Sequence, residues 1–326
     1  MEQERFLVTG ALGCIGAWVV RRLVREGLPT TVFDLAGDLR RLRVIMDDDE
    51  LAQVRFIMGD IADGSCVKRA VDESGATHVI HLVALQVPAC RANPPLGLRV
   101  NLVGTANLFE AAKQARLRRV VYATSIAAYG PKEDVPAEPL SHPAPRLPHT
   151  HYGVTKLASE AISRVYWLDD GLSSIGLRPA IVYGPGRDQG LTSGPSRAML
   201  AAALGESYRI PFGGRCDMQY VDDVAQAFIR AARAPFEGAA AFNLRGSVVT
   251  MAEVVSAIEA AEPASRGQIS FEEKPLPFPG EAEHDSRVLA ALGSLPHTPL
   301  AEGVAATVAI YKQAISAGRL ATAALS

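Results

Sequence analysis

The chain is poor in lysine and cysteine and carries almost no net charge. Its 326 residues include six lysines and four cysteines, and the formal net charge is −2. Such a balance offers no basic face for nucleic acid or anionic lipid. The longest basic cluster, Arg40, Arg41 and Arg43, sits beside Asp47, Asp48, Asp49 and Glu50 and reads as a solvated helix or loop. Cys14, Cys66, Cys90 and Cys216 are scattered, with no CxxC pair and no clustered histidines. That argues against a zinc site and a disulfide framework and fits a reducing cytosol, so a cytoplasmic location and no metal are expected. No run of 18 apolar residues occurs, so no membrane span is expected. The first strand opens almost at once, which leaves no room for a signal peptide.

What is present is ordinary globular material: 48% hydrophobic and 21% charged residues, enough for one large domain or two intimate ones. Short apolar runs alternate with helical stretches through the first half. "RFLVTG", "TTVFD", "VRFIMGD", "THVIHLVA", "RRVVYATS" and "SSIGLRPAIVYG" read as strands. Between them lie helices at "IGAWVVRRLVREG", stopped by Gly27, near Val67–Val71, across Asn101–Gln114 and from Tyr152. Buried strands alternating with helices imply right-handed βαβ units and a doubly wound parallel sheet. Pro131–Pro148 carries six prolines and reads as a loop over the sheet rim. After Gly184 the alternation breaks down. A helix "YVDDVAQAFIRAAR", a strand "AAFNLR" and a helix "TMAEVVSAIEAAE" capped by Thr250 suggest a smaller mixed α/β lobe, and "AGRLATAALS" reads as a frayed end. The expected division is a doubly wound domain over 1–180, completed by about 217–245, with the smaller lobe in 181–216 and 246–326. Trp18 and Trp167, on helices, read as core or interface.

"VTGALGCIGAW" places Gly10, Gly13 and Gly16 between the first strand and the first helix. In that context Gly10 permits the tight turn, Gly13 admits a pyrophosphate to the backbone and Gly16 lets helix and strand pack closely. The free amides at the helix start face the phosphates. Asp34 ends the second strand, where a carboxylate accepts from the adenosine ribose hydroxyls and repels a 2′-phosphate. The expected cofactor is therefore NAD rather than NADP, with Arg40 and Arg41 nearby as the reason NADP stays open. Asp60, in "GDI", either bonds the adenine amine or caps a helix.

"HTHYGVTKLASE" holds Tyr152 and Lys156 four places apart on a helix, about 40° apart around its axis and so on one face. An ammonium close to a phenol favours the phenolate, which would lower the tyrosine pKa. With "GDI", "HLVA", "NLVGTANLFEAA", "YATSIAAYG" and "LRPAIVYGPG" in order around it, the chain resembles the extended short-chain dehydrogenase/reductases, in their NAD-dependent epimerase/dehydratase branch. The resemblance is dense to about Gly186 and returns at "YVDDVAQAF" and "FNLRG". It implies a Rossmann-type fold and an enzyme with Tyr152 as general acid/base and Lys156 tuning it and holding the nicotinamide ribose. Ser125 would hold the substrate oxygen, with Thr124 as its rival. It places Cys14, Ile15, Ile61, Leu82, Val83, Ala84 and Pro179 along the cofactor. Asn101 reads equally as a cofactor contact or a structural cap. It also implies a homodimer through the helices Asn101–Gln114 and Tyr152–Trp167, where Val154, Leu157, Ala158, Ala161 and Val165 form an apolar stripe that reads equally as core. His149 and His151 read as solvated.

Three departures bear on substrate. Nucleotide-sugar epimerases of this kind carry an asparagine where Ile181 stands, an arginine where Cys216, Asp217 and Met218 stand, and another arginine near "GEAEHDSR", where Glu281 and Glu283 stand instead. Arg215 is the neighbouring cation that can substitute. A diphosphate wants charge-assisted donors, so the expected substrate is a small hydroxylated, sugar-like molecule, with Gln86, Ser125, Thr192, Ser193 and Gln219 as candidate contacts. The alternatives are a nucleotide-sugar 4-epimerase or dehydratase with an atypical diphosphate site, and an idle NAD(H)-binding sensor.

Overall fold

The computed structural model describes residues 3–35, 37–135, 139–281 and 286–320. Glu283 and the end of the chain from 321 lie outside them, as do 136–138 of the proline-rich loop.

Twelve strands follow in order: β1 Phe6–Thr9, β2 Thr30–Asp34, β3 Val54–Met58, β4 His78–His81, β5 Arg119–Ala123 and β6 Ser173–Arg178. Then come β7 Ile181–Tyr183, β8 Tyr208–Ile210, β9 Arg215–Tyr220, β10 Ala239–Asn243, β11 Ser247–Thr250 and β12 Ile269–Phe271. Seven of them form the central sheet in the order β10-β6-β5-β4-β1-β2-β3, and every neighbouring pair is parallel. Helices cover both faces, so β1, β5 and β6 are buried almost end to end, as strands of such a sheet must be. One face packs Trp18, Leu23 and Phe228, and the other packs Val67, Leu108 and Phe109. The strand order reverses between β1 and β4, and at such a switch point a crevice opens beyond the strand ends.

The apolar run read as one strand over Ser173–Gly184 is two. Pro179 has no amide to donate, and the chain breaks there. β6 stays in the main sheet, while β7 joins a small sheet with β9 and β11. Gln219 stitches the break, its Oε1 accepting from the Ala180 amide at 3.0 Å. The helix expected over Asn101–Gln114 is α-helical only from Gly104, after a π turn at Arg99–Val103. Thr250 and Glu253 close a reciprocal cap as their spacing suggests.

The helix His151–Asp170 is amphipathic in the unusual sense. It turns Thr155, Lys156, Ser159, Glu160 and Ser163 into the core and leaves Val154, Val165 and Leu168 exposed, the last two at 53% and 65%.

Candidate active site

The glycine loop is pressed against the end of β4. Gly10 has φ +73°, and a Cβ there would lie 2.5 Å from the Val83 nitrogen; one on Gly16 would lie 2.4 Å from the Gly10 oxygen. No larger residue fits either place, and the crevice beyond stays open for a ligand that needs close backbone approach.

Two adjoining cavities occupy the crevice. The first, about 320 Å³, is lined by Gly10, Gly13, Asp34, Asp60, Ile61, Leu82, Val83 and Ala84. Asp34 accepts from the Leu12 amide at 3.0 Å and the Leu35 amide at 2.8 Å. Burial pushes its carboxyl up against the pull of those amides and of Arg41. Asp60 caps a turn by accepting from Ala62 at 2.8 Å and also faces the cavity. The arginines nearby are engaged: Arg41 donates to the Leu12 carbonyl at 2.9 Å and pairs with Asp188 at 2.7 Å, and Arg40 lies between Asp38 and Asp188.

The second cavity, about 230 Å³, is lined by Cys14, Ile15, Gly16, Ser125, Tyr152, Lys156 and Pro179, with Gln86 and Thr192 opposite. Thr150 caps the helix that carries the pair by accepting from the Gly153 amide at 3.0 Å. Lys156 donates to the Ala123 carbonyl at 2.8 Å, and its Nζ lies 5.5 Å from the Tyr152 ring centre. Burial lowers the lysine pKa to about 8. Tyr152 does not follow the expected direction. Burial raises its pKa, while a hydrogen bond from Ser125 and the charge of Arg187 pull it back. Desolvation outweighs the hydrogen bond and the Arg187 charge in the protein alone. Thr124 also borders this cavity, but its hydroxyl is donated to Glu160 at 2.7 Å.

Three candidate residues are not brought to either cavity. Asn101 is buried behind the loop after β4, its amide group exchanging hydrogen bonds with the Leu85 backbone at 2.7 and 2.9 Å and donating to Thr155 at 3.2 Å. It clamps the loop, as a structural cap would. Ser193 turns inward to the Gly190 carbonyl at 2.9 Å. Gln219 is occupied by Ala180, Asp217 and the Leu244 carbonyl. Ile181, Cys216 and Met218 are core residues. Arg215 and Arg245 both reach Glu281, at 3.7 and 3.2 Å. His149 pairs with Asp134 at 2.7 Å. The sequence reading missed Arg187, Leu191 and Phe278, which complete the wall around Tyr152. Arg187 directly follows the "GPG" turn, which is its only local signal.

The profile of the NAD dependent epimerase/dehydratase family matches residues 6–244. The chain belongs to this family. It is thus an enzyme, its cofactor is NAD, and the cradle at Gly10 and Gly16 with the carboxylate of Asp34 fits that dinucleotide. A UDP-glucose 4-epimerase of Mycolicibacterium smegmatis is 32% identical over 320 residues, 94% of this chain and 98% of that protein. The UDP-glucose 4-epimerase of Thermus thermophilus, solved with NAD, superposes with a TM-score of 0.76 at 29% identity over 95% of this chain and 99% of that one. MoeE5, solved with UDP-glucuronic acid and NAD, gives 0.77 and 30% at the same coverage. An L-threonine dehydrogenase of Clostridium difficile shares the fold at 0.82 with 20% identity, covering 96% of this chain and 99% of that one.

The depressed Lys156 gives a signed expectation. Between about pH 8, its folded value, and the ordinary lysine range, the unfolded chain holds the proton that the folded chain has lost. Burying Lys156 therefore costs most at neutral pH, and the cost fades as pH rises through that window. Denaturant unfolding of the cofactor-free protein should show Lys156→Met gaining stability relative to wild type at pH 7. That advantage should shrink by a few kcal/mol toward pH 10; a gap independent of pH would contradict it.

Proposed function

We propose that the chain transfers a hydride at a secondary alcohol or ketone of a small sugar-like substrate, as an oxidoreductase or epimerase, with Tyr152 as general acid/base. The observation that carries this is the convergence of Ser125, Tyr152 and Lys156 on one wall of a cavity bordered by the glycine loop. NAD, when bound, accepts or returns the hydride. The protein's part is proton transfer and orientation. Ser125 holds the substrate oxygen against the Tyr152 hydroxyl, Tyr152 takes or gives the proton, and Lys156 holds its place through Ala123. We read 1–180, completed by about 217–245, as the cofactor domain and the remainder as the substrate lobe.

The small-substrate reading is supported by charge. Arg215, the cation that could substitute for the missing diphosphate arginine, is drawn to Glu281 together with Arg245.

Tyr152→Phe should bind NAD normally and lose about 10²- to 10⁴-fold in turnover, the usual worth of a positioned acid/base. The assay is a screen of small polyols and sugars followed by reduced-nicotinamide absorbance and by product stereochemistry; wild-type turnover in the variant would remove Tyr152 from the chemistry.

A second reading, a nucleotide-sugar epimerase, is favoured by the full-length likeness to the Mycolicibacterium smegmatis protein. Calorimetry with UDP, with and without NAD, separates the two. The loss of two charge-assisted donors should weaken UDP by roughly 10² to 10⁴. A low-micromolar dissociation constant that disappears in Arg215→Ala would establish the second reading instead.

We also infer a homodimer. The outward face of His151–Asp170, with Val154, Val165 and Leu168, continues to the exposed Val103, an apolar surface that a second copy would cover. Light scattering at micromolar concentration should give twice the monomer mass, and only monomer would refute the inference.

A further inference from the structure

Inside the cavity of Tyr152, the guanidinium of Arg187 has no anion among the described residues. Arg187 lies on that wall, and its Nη2 donates to the Thr192 hydroxyl at 2.9 Å. Its Nε is shut off from solvent and has no partner. Among the described residues no carboxylate pairs with it. The adjacent Asp188 is drawn to Arg41 at 2.7 Å and Arg40 at 3.5 Å. Gly190 (φ +96°) lets the backbone close on these side chains: a Cβ there would lie 1.9 Å from Gln86 Oε1 and 3.3 Å from Arg187 Nη2.

We propose that Arg187 receives a carboxylate of the substrate, so that the enzyme acts on a hydroxy acid rather than on a neutral polyol. This rests on the small-substrate reading above. A guanidinium presents its N–H groups as a planar fork that matches the two oxygens of a carboxylate, and here the Nε–H has no partner within the protein. Thr192 fixes the plane of the fork, and Gln86, at its side, is placed to read a neighbouring hydroxyl. Arg187 and Tyr152 line the same cavity, which puts the acid group near the reacting centre. In the oxidative direction the carbinol C–H bond breaks and its electron pair goes to NAD. The hydroxyl proton passes to Tyr152 and out, and the hydroxy acid becomes a keto acid.

The test is kcat/KM, by reduced-nicotinamide absorbance and by NMR of product stereochemistry, for four- to six-carbon sugar acids, matched neutral polyols and sugars, and their phosphates. Wild type should prefer the acids by about 10- to 10²-fold, the worth of one charge-assisted bond. Arg187→Met should remove that preference by raising KM for acids alone, and Arg187→Lys should restore part of it. Equal use of acids and neutral compounds, still dependent on Tyr152, would overturn this inference and leave the small-substrate reading standing. Turnover confined to nucleotide sugars would overturn both. An Arg187-dependent preference for phosphates over carboxylates would also overturn it. So would weakened NAD binding in Arg187→Met with the acid preference intact, because Arg187 would then serve the cofactor.

Discussion

One buried carboxylate holds the helix His151–Asp170 in place. Glu160 accepts from Arg178 Nε at 2.7 Å and Nη2 at 2.6 Å, and from the Thr124 hydroxyl at 2.7 Å. Arg178 in turn reaches the Tyr129 hydroxyl at 2.9 Å and Asn243 at 3.2 Å. The helix His151–Asp170 is thereby tied to the ends of β5, β6 and β10 at once. Breaking such a pair leaves an uncompensated buried charge and costs several kcal/mol, so the helix has essentially one allowed depth and rotation. Tyr152 and Lys156, two turns and one turn before Glu160, inherit that rotation. Ser125 inherits its place from Thr124, its neighbour on the same strand end.

This arrangement explains why the helix looks reversed. Its inner face is given to Thr155, Lys156, Ser159, Glu160 and Ser163, each bonded to backbone or to a neighbouring polar group. The apolar residues then have only the outer face left. The polar chemistry of the site and the sticky outer surface are two sides of one constraint, because a 20-residue helix has no third face on which to place them.

Legibility in the sequence followed the distance over which each residue acts. The glycine loop, Asp34 and the Tyr152–Lys156 pair were readable because their geometry is set within a few residues by one turn or one helix. The break between β6 and β7 was hidden in a continuous apolar run, although Pro179 marked it. Asn101 could not be resolved between cap and cofactor contact, because the partners that decide it, Leu85 and Thr155, lie 16 and 54 residues away. Gln219 looked free for substrate for the same reason: its partner Ala180 is 39 residues off. Arg187 was missed altogether. In the sequence it stands next to Asp188, and only the fold reveals that Asp188 faces Arg41, 147 residues away.

That diversion of Asp188 has a consequence for the proton as well as for the substrate. Arg40 and Arg41 share Asp188, and Arg215 and Arg245 share Glu281. Arg187 is left to act on Tyr152, where its charge opposes the upward push of burial. An anion seated on Arg187 would cancel part of that pull, so the tyrosine would hold its proton more firmly with substrate bound. The phenol would then rely on Ser125 and Lys156 to become a base, and on burial to be an acid. An anion on Arg187 would therefore bias the Tyr152 hydroxyl toward giving a proton rather than taking one.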